Sequence, residues 1–242
     1  MPDITGIQSG DQTGRRIFFV ICTYCLIFES CKKQVVMEVL KTDIPGVLIL
    51  EPKVFHDPRG YFLELFSQRE FDAKIVPEVL YASADGGVSP QYKYMGEERI
   101  VFVQDNESRS RYGVIRGLHF QRPPYAQSKL IRVAIGAVLD VAVDIRKGSP
   151  TYGRHVSVEL SADNHRILFL PRGIAHGFSV LSDYVIFQYK CDSFYSLQSE
   201  GAIAWNDPDL TIDWRIPEKD ALLSQKDLNH PLFRDFDSLF KY

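Results

Sequence analysis

Short apolar runs, separated by turn sequences, follow one another along the chain beyond Met37, and this pattern limits the possible fold most strongly. Within 139–146 (LDVAVDIR), apolar residues alternate with mostly polar ones, which is the period of a β-strand. Only 67–75 (SQREFDAKI) and the stretch after Pro217 have a helical character. Many short strands, with turns such as HDPRG and KGSP between them, predict a β-sandwich or a barrel. The predicted strands are 47–50, 61–66, 100–104, 113–121, 129–146, 155–160, 166–170, 177–181 and 184–191.

The charge of the chain excludes several classes of partner. Of its 242 residues, 28 are Lys or Arg and 31 are Asp or Glu, which gives a formal net charge of −3. This balance offers no general attraction to nucleic acid or to an anionic membrane, although it is compatible with a local basic pocket. No apolar run reaches the roughly 18 residues of a membrane-spanning helix. We therefore predict no nucleic-acid partner and no membrane partner.

Residues 1–36 differ in character from the rest of the chain. Their apolar stretch 17–28 (IFFVICTYCLIF) contains Cys22 and Cys25 in C-x-x-C spacing. It lacks the second cysteine pair of a zinc site and the βαβ pattern of a redox motif. Met37, in contrast, begins MEVLKTDIPGVLILEP, which is typical of the start of a compact domain. We interpret 1–36 as an N-terminal extension that is disordered or not part of the native domain, and 37–242 as a single domain.

The segment 113–121 (GVIRGLHFQ) contains the densest group of chemically active side chains. Arg116 and His119 are three positions apart, so a regular strand would point them to opposite faces. Gly117 lies between them, and a bulge at this glycine would turn both side chains into one cavity. Two interpretations remain open at this point. The pair forms a cationic site with a general base, or it consists of an edge-strand arginine and a structural histidine.

Other candidate residues have ordinary structural interpretations when each is taken alone. Lys129 begins a strand, His176 follows a proline turn and Tyr189 lies in the run YVIFQYKC. The H-x-H pattern of many metal-binding jelly rolls is absent, because Gln121 stands where the second histidine would be. We therefore predict no metal, and we interpret Cys191 as a small buried side chain. A serine nucleophile is not indicated either, since G-x-S-x-G is missing.

Several segments together resemble the dTDP-4-dehydrorhamnose 3,5-epimerases, which are deoxysugar-nucleotide epimerases of the cupin class. The resemblance extends from Thr42 to Asp227 in the order of the family, and the joint match is more specific than any single segment. The segments are IPGVLILEPKVFHDPRGYFLE (44–64), FVQDN (102–106), VIRGLHFQ (114–121), KLIRVAIGAVLDVAVDIRKGSPTYG (129–153), LPRGIAHGF (170–178), QYKCDSFY (188–195), WNDP (205–208) and LSQKD (223–227).

The resemblance implies an all-β fold, a cupin-type double-stranded β-helix or jelly roll with short helices, mainly near the C-terminus. It implies epimerisation of dTDP-4-dehydro-6-deoxy-D-glucose at C3 and C5 to dTDP-4-dehydro-L-rhamnose, in dTDP-L-rhamnose and polysaccharide biosynthesis. No cofactor and no metal are implied. The expected partners are the dTDP-sugar and a second copy of the chain, in a homodimer that exchanges N-terminal strands. A cytoplasmic location follows from the nucleotide-sugar substrate.

The resemblance also implies four catalytic residues. His119 matches the base of the family, and an ordinary histidine has a pKa of about 6.5, which suits a base near pH 7. Asp227 matches the carboxylate that pairs with that histidine. Lys129 matches the cation near the C4 oxygen, and Tyr189 matches the acid that returns a proton from the far side.

Further residues match positions that contact the substrate in the family. Arg59 and Arg116 match diphosphate-binding residues, and Tyr195 matches an aromatic that stacks on thymine. Phe194 departs from the pattern, since many members carry a second tyrosine there. The remaining matches are Glu64, Gln104, Asn106, His176, Glu200 and Lys226.

Two other functions remain open from the sequence. One is a mono-epimerase that inverts only C3 or only C5 of a dTDP-4-keto-6-deoxyhexose and keeps the same catalytic groups. The other is a non-catalytic cupin that binds a sugar nucleotide, although a pure binding protein needs no acid opposite a base. The stretch 81–99 (YASADGGVSPQYKYMGEER) is predicted to be an irregular inserted loop near the nucleotide pocket or the dimer surface.

Overall fold

The computed structural model describes residues 37–80, 93–94 and 97–242 of the chain. Residues 1–36, with their C-x-x-C sequence, lie outside the described residues, so their interpretation as an extension remains a prediction. In the described part the strands are β1 (Met37–Lys41), β2 (Leu48–Pro52), β3 (Phe55–Asp57), β4 (Gly60–Phe62), β5 (Lys93–Tyr94), β6 (Glu97–Glu98), β7 (Gln104–Arg111), β8 (Ile115–Gln121), β9 (Lys129–Ile135), β10 (Ala137–Asp144), β11 (His155–Ser161), β12 (Ile167–Leu170), β13 (Ile174–Val180), β14 (Tyr184–Cys191) and β15 (Glu200–Ala202).

Two antiparallel sheets face each other. One has six strands in the order β1-β2-β12-β9-β14-β7, and the other has five in the order β11-β10-β13-β8-β15. Side chains from both sheets meet between them, and the stacked rings of Phe178 and Phe187 join the layers with centroids 4.1 Å apart. Two facing sheets of this kind confirm the predicted all-β jelly-roll architecture.

Each sheet is also covered on its outer face. The helices α1 (Gln68–Lys74) and α2 (Val76–Leu80) place Phe71, Ile75 and Val79 against the six-stranded sheet. The C-terminal segment covers the five-stranded sheet with Trp214 and Phe240. Residues that would face solvent in a simple sandwich are therefore buried, and the two outer layers leave the ends of the sandwich as the route to its interior.

The helix prediction for 67–75 is confirmed, because Ser67 caps α1 by accepting a hydrogen bond from the Glu70 amide. The short helices predicted after Pro217 are present as 3₁₀ helices and not as α-helix. That stretch contains only short 3₁₀ turns at Glu218–Asp220, Asp227–Asn229 and Phe233–Asp235, with extended chain between them. No helix in the described residues is long and apolar enough to cross a membrane.

Most predicted strands are present, with four differences. The predicted strand 61–66 is short, because β4 ends at Phe62. The run 129–146 is two strands, because Gly136 turns the chain with φ +84°. Residues 100–103 are not a strand, and the ladder begins only at Gln104. Within the predicted irregular loop at 81–99, the described residues Lys93–Tyr94 pair with Glu97–Glu98 as a short ladder.

Candidate active site

A bulge at Gly117 aligns Arg116 and His119 on one face. On the neighbouring strand β13, His176 is opposite His119 and Phe178 is opposite Arg116, with a register shift between them. Three positions on β8 thus match two positions on β13, so Arg116 and His119 share the inner face with their partners. This confirms the arrangement predicted from the glycine.

Gly117 allows this bulge for two physical reasons. Its φ of +135° is rarely adopted by residues with a side chain. A Cβ atom on Gly117 would also lie 2.5 Å from the Cα atom of Gly177, on the adjacent strand. The two glycines therefore permit a close backbone approach that any larger residue at position 117 would prevent.

His119 is paired with a buried aspartate from the C-terminal segment. Its Nε2 atom lies 2.5 Å from Oδ1 of Asp227, while Ser224 donates a hydrogen bond of 2.7 Å to Oδ2. Burial acts to raise the pKa of Asp227, but the hydrogen bonds from His119 and Ser224 outweigh it and lower the pKa to about 2. Asp227 is therefore ionised near neutral pH. The Asp227 side chain is 5% exposed and that of His119 is 40% exposed, so the pair opens toward solvent through the histidine.

Lys129 and Tyr189 approach from the opposite sheet. They lie on the adjacent strands β9 and β14, and the Lys129 Nζ atom is 5.7 Å from the centroid of the Tyr189 ring. Burial raises the pKa of Tyr189, so its hydroxyl stays protonated near neutral pH. Burial lowers the pKa of Lys129, and the charge of Asp140 opposes that effect.

Asp140 is a site residue that the sequence reasoning did not identify. It lies on β10, is completely buried, and its Oδ2 atom is 3.0 Å from Nε2 of His176. Its Oδ1 atom has no hydrogen-bond partner among the described residues. The alternation in LDVAVDIR indicated a polar strand face, but it could not show that this face is directed into the protein next to His176 and Lys129.

Polar residues of β7 and Arg116 continue the inner surface. Gln104 and Asn106 form a hydrogen bond of 2.9 Å with each other, and the Gln104 side chain accepts one from the Tyr195 amide. Arg116 donates to the Ser110 hydroxyl across the sheets, with distances of 3.0 and 3.2 Å. These contacts hold three predicted binding residues on the inner faces of the two sheets.

Three further predicted residues form an exposed rim next to Asp227. Glu200 and Lys226 form an ion pair, and Lys226 directly precedes Asp227 in the sequence. The Tyr195 side chain is 52% exposed. The pKa of its hydroxyl is raised first by partial desolvation and then by the nearby Glu200 carboxylate. An exposed aromatic beside charged groups is a suitable surface for a planar ring.

Arg59 and Glu64 are not brought to this site by their own chain. Arg59 lies in the exposed turn between β3 and β4, where it pairs with Asp57. The chain following this hairpin packs on the outer face of the six-stranded sheet and leaves a cavity of about 620 Å³ there. Asn106 and Tyr189 are among the residues that line this cavity, whereas His119 lies on the other sheet.

One cluster of the described residues has the donor atoms of a metal site. Donor atoms of His119, Asp227 and His230 lie within 4.8 Å of one another. His230 lies outside any H-x-H pattern, so the sequence did not indicate it as a metal ligand. The only signal available was the spacing of three residues between Asp227 and His230 in DLNH.

The fold is a cupin-type jelly roll, and the acidic and basic side chains between its sheets suit proton transfer. The family model for dTDP-4-dehydrorhamnose 3,5-epimerase matches residues 41–86 and 88–235. The chain belongs to this family, which confirms the resemblance found in its segments. It is thus an isomerase of the epimerase type.

Individual relatives agree with this assignment. The dTDP-4-dehydrorhamnose 3,5-epimerase of Shigella flexneri is 48% identical over 201 residues, covering 83% of this chain and 98% of that protein. The Salmonella typhimurium enzyme of the same name is 49% identical over 199 residues, covering 81% and 95%. A dTDP-6-deoxy-D-glucose-3,5-epimerase from Legionella pneumophila, solved with dTDP-4-keto-L-rhamnose, has a TM-score of 0.72 and 41% identity, covering 85% of this chain and 98% of that one.

Proposed function

We propose that this chain converts dTDP-4-dehydro-6-deoxy-D-glucose to dTDP-4-dehydro-L-rhamnose by inverting C3 and C5, as a step in dTDP-L-rhamnose biosynthesis. One observation supports the mechanism: His119, paired with Asp227 of the C-terminal segment, lies on one sheet, and Lys129 and Tyr189 lie together on the other. A sugar ring bound between the sheets would meet a base on one side and an acid on the other.

The chemistry of the substrate explains why a base, an acid and a cation suit this reaction. The hydrogens on C3 and C5 are both next to the C4 ketone, so each can leave as a proton and give an enolate. Returning a proton to the opposite side of the same carbon inverts it. The reaction therefore needs a base, a stabiliser for the enolate oxygen and an acid, and the proposal requires no cofactor.

His119 is the proposed base. If Nε2–H donates to Asp227, Nδ1 is left as the nitrogen that accepts the proton from C3 or C5. The ionised Asp227 fixes this tautomer and stabilises the imidazolium that forms, as in other histidine–aspartate pairs. A general base of this kind typically contributes about 10²–10⁴-fold to the rate.

Lys129 and Tyr189 are the proposed partners on the other side. The Lys129 ammonium would stabilise the negative charge that develops on the C4 oxygen, and the low-dielectric surroundings strengthen that interaction. Tyr189 would deliver the proton, since burial keeps its hydroxyl protonated near neutral pH. Asp140 would be a positioning residue that orients His176 and keeps Lys129 charged.

The remaining predicted residues would bind the nucleotide. Arg116 supplies a guanidinium for the diphosphate, and the exposed Tyr195 ring would stack on thymine. Gln104, Asn106 and His176 line the cavity that would hold the sugar. Glu200 and Lys226 form the rim, where they would contact the substrate as it enters.

We propose a homodimer in which the N-terminal segment of each subunit completes the site of its partner. Arg59 and Glu64 are predicted binding residues, yet the chain that follows the hairpin of Arg59 packs on the outer face of the six-stranded sheet, whereas His119 lies on the other sheet. A second copy could bring its own β3–β4 hairpin to the open end of the cavity. We also propose that 37–242 is a single domain. We propose a cytoplasmic location, because nucleotide sugars are made in the cytoplasm.

Proton exchange in D₂O tests the proposed reaction. The full chain is incubated with dTDP-4-dehydro-6-deoxy-D-glucose, and H3 and H5 are followed by NMR. Loss of both signals together with formation of the L-rhamno product supports the 3,5-epimerase. Loss of one signal would assign a mono-epimerase, and no exchange would leave a non-catalytic binding protein, so either result would contradict the proposal.

A further inference from the structure

The 3₁₀ turn Asp227–Asn229 brings a second histidine to the proposed base. It returns His230 to within 3.4 Å of Asp227, measured from Nε2 to Oδ1. The His230 ring is perpendicular to that of His119, with centroids 5.7 Å apart. His230 thus approaches the same carboxylate oxygen that contacts the proposed base, and it lies beyond the LSQKD segment of the family.

His230 meets this cluster through the long contact of 3.4 Å between its Nε2 atom and Asp227. Its side chain is 11% exposed, and its Nε2 atom is buried without a hydrogen-bond partner among the described residues. A buried nitrogen without a partner normally costs stability, since it has lost its contact with water. The atom is directed at a carboxylate oxygen that already contacts a second imidazole, which is the geometry of a pre-assembled set of ligands.

Two imidazole nitrogens and one carboxylate oxygen are the donor set of many three-ligand zinc sites, in which water takes the fourth position. Donors about 2.0–2.1 Å from a tetrahedral ion are roughly 3.4 Å apart. The present spacings of 2.5 and 3.4 Å to Asp227, within a cluster of 4.8 Å, require only small side-chain movements. The partly exposed His119 provides the entry path and the place for water.

We propose that His119, Asp227 and His230 form an inhibitory site for zinc. The ion would replace the hydrogen bond between His119 Nε2 and Asp227. A neutral imidazole that binds a metal through one nitrogen carries its proton on the other, so Nδ1 of His119 would be N–H and could not accept the substrate proton. Zinc would therefore switch off the base, whereas Mg²⁺ would not, because it prefers oxygen ligands.

The test uses the full chain with Cys22, Cys25 and Cys31 replaced by serine, since thiolates are strong zinc ligands. Co²⁺ is added as a spectroscopic probe, and Zn²⁺ is titrated into the D₂O exchange assay. We expect the visible absorption of a four-coordinate Co²⁺ at one ion per chain. We also expect Zn²⁺ to inhibit exchange at both carbons, and a chelator to reverse the inhibition.

His230→Gln is the decisive variant, with His155→Gln on β11 as its control. Without metal, His230→Gln should keep the activity of the parent. It should lose the Co²⁺ signal and need at least about tenfold more Zn²⁺ for inhibition, since losing even an outer-shell partner costs roughly 10–100-fold in metal affinity. His155→Gln should behave as the parent does.

Equal zinc sensitivity in His230→Gln and the parent, or no Co²⁺ signal in the parent, would overturn the metal site. The Co²⁺ measurement needs no substrate, so it separates this inference from the proposed function. A chain that binds Co²⁺ through His230 but exchanges no sugar proton would support the site and contradict the epimerase proposal.

Discussion

Two aspartates that each pair with a histidine are held in different environments. Asp227 receives hydrogen bonds from His119 and Ser224, and its pKa is lowered to about 2 despite burial. Asp140 has a single histidine partner on one oxygen, and burial raises its pKa. Asp227 is thus a fixed negative charge next to the base, while the ionisation of Asp140 depends on the cations around it.

Replacing Asp227 with asparagine should make the free energy of unfolding less sensitive to acid, because the ionised Asp227 stabilises the fold only above its depressed pKa. Its pKa is depressed from 3.8 to about 2, so its contribution is present above 3.8 and is lost as the pH falls toward 2. Between pH 5 and pH 2, the wild-type free energy of unfolding should fall by about 2 kcal/mol more than that of Asp227→Asn. Urea unfolding at both pH values measures this. The exposed control Asp209→Asn should follow the wild type, and parallel losses in Asp227→Asn and wild type would contradict the depressed pKa.

Asp140→Asn should move the alkaline limb of kcat/KM to lower pH. Burial lowers the pKa of Lys129 and the Asp140 carboxylate opposes it, so the uncharged amide lets that pKa fall further. Lys129 then loses its proton at a lower pH. The exposed Asp209→Asn is the control and should leave the limb in place, because its carboxylate is not among the charges that act on the pKa of Lys129. An unchanged pH profile in Asp140→Asn would exclude Asp140 as the group that maintains the charge of Lys129.

At the scale of single elements, β8 shows what a local sequence pattern can predict. The pair Arg116 and His119, with Gly117 between them, predicts a bulge that turns both side chains to one side, and the register with β13 shows this bulge. The prediction succeeds because a strand has a strict period of two, so a departure from it has only a few physical solutions.

Gly117→Ala should destabilise the fold and lower activity. The new Cβ would meet Gly177 at 2.5 Å, in addition to the strain of φ +135°. Gly60 has a φ of +137° and nothing within 4 Å of the position of its Cβ, so Gly60→Ala carries the strain alone. Thermal unfolding should show Gly117→Ala less stable than Gly60→Ala by about 1–3 kcal/mol, the usual cost of overpacking. Equal loss in the two variants would show that the close approach is unimportant.

Other elements could not be predicted from their sequences. The strand β7 (QDNESRSR) has polar residues on both faces, because its inner side chains line the cavity and its outer ones are mostly exposed. The apolar alternation that marks a strand is therefore missing, and the sequence indicated a strand only in the flanking 100–104. The C-terminal segment has helix-like composition, but it covers a sheet, and contacts such as those of Trp214 and Phe240 favour extended chain.

For the whole molecule, the site depends on contacts that no local pattern contains. Asp227 is 108 residues from His119, and Asp140 is 36 residues from His176. The first pairing was expected only through the resemblance to a family, and the second was not expected. The fold class and the Arg116–His119 alignment follow from the periodicity of the sequence. The assembly of the site also requires the packing of the two sheets and of the C-terminal segment that carries Asp227.

A mixed dimer tests whether Arg59 acts in the partner's site. Arg59→Ala and His119→Asn should each be nearly inactive as homodimers. In a mixed dimer, one site combines intact His119 with the partner's intact Arg59, so random pairing of equal amounts should restore about one quarter of wild-type activity. Co-expression followed by a D₂O exchange assay measures this. No restoration, with dimers confirmed by light scattering, would place Arg59 in the site of its own chain or outside it.

The central claim is that a base and an acid on opposite sheets act on opposite faces of the sugar. NMR in D₂O tests this claim by comparing His119→Asn with Tyr189→Phe. Without its base, His119→Asn should exchange neither H3 nor H5. Tyr189→Phe should still remove protons, so deuterium enters while the D-gluco configuration is retained. Exchange in His119→Asn at the wild-type rate, or full inversion by Tyr189→Phe, would contradict the two-sheet mechanism.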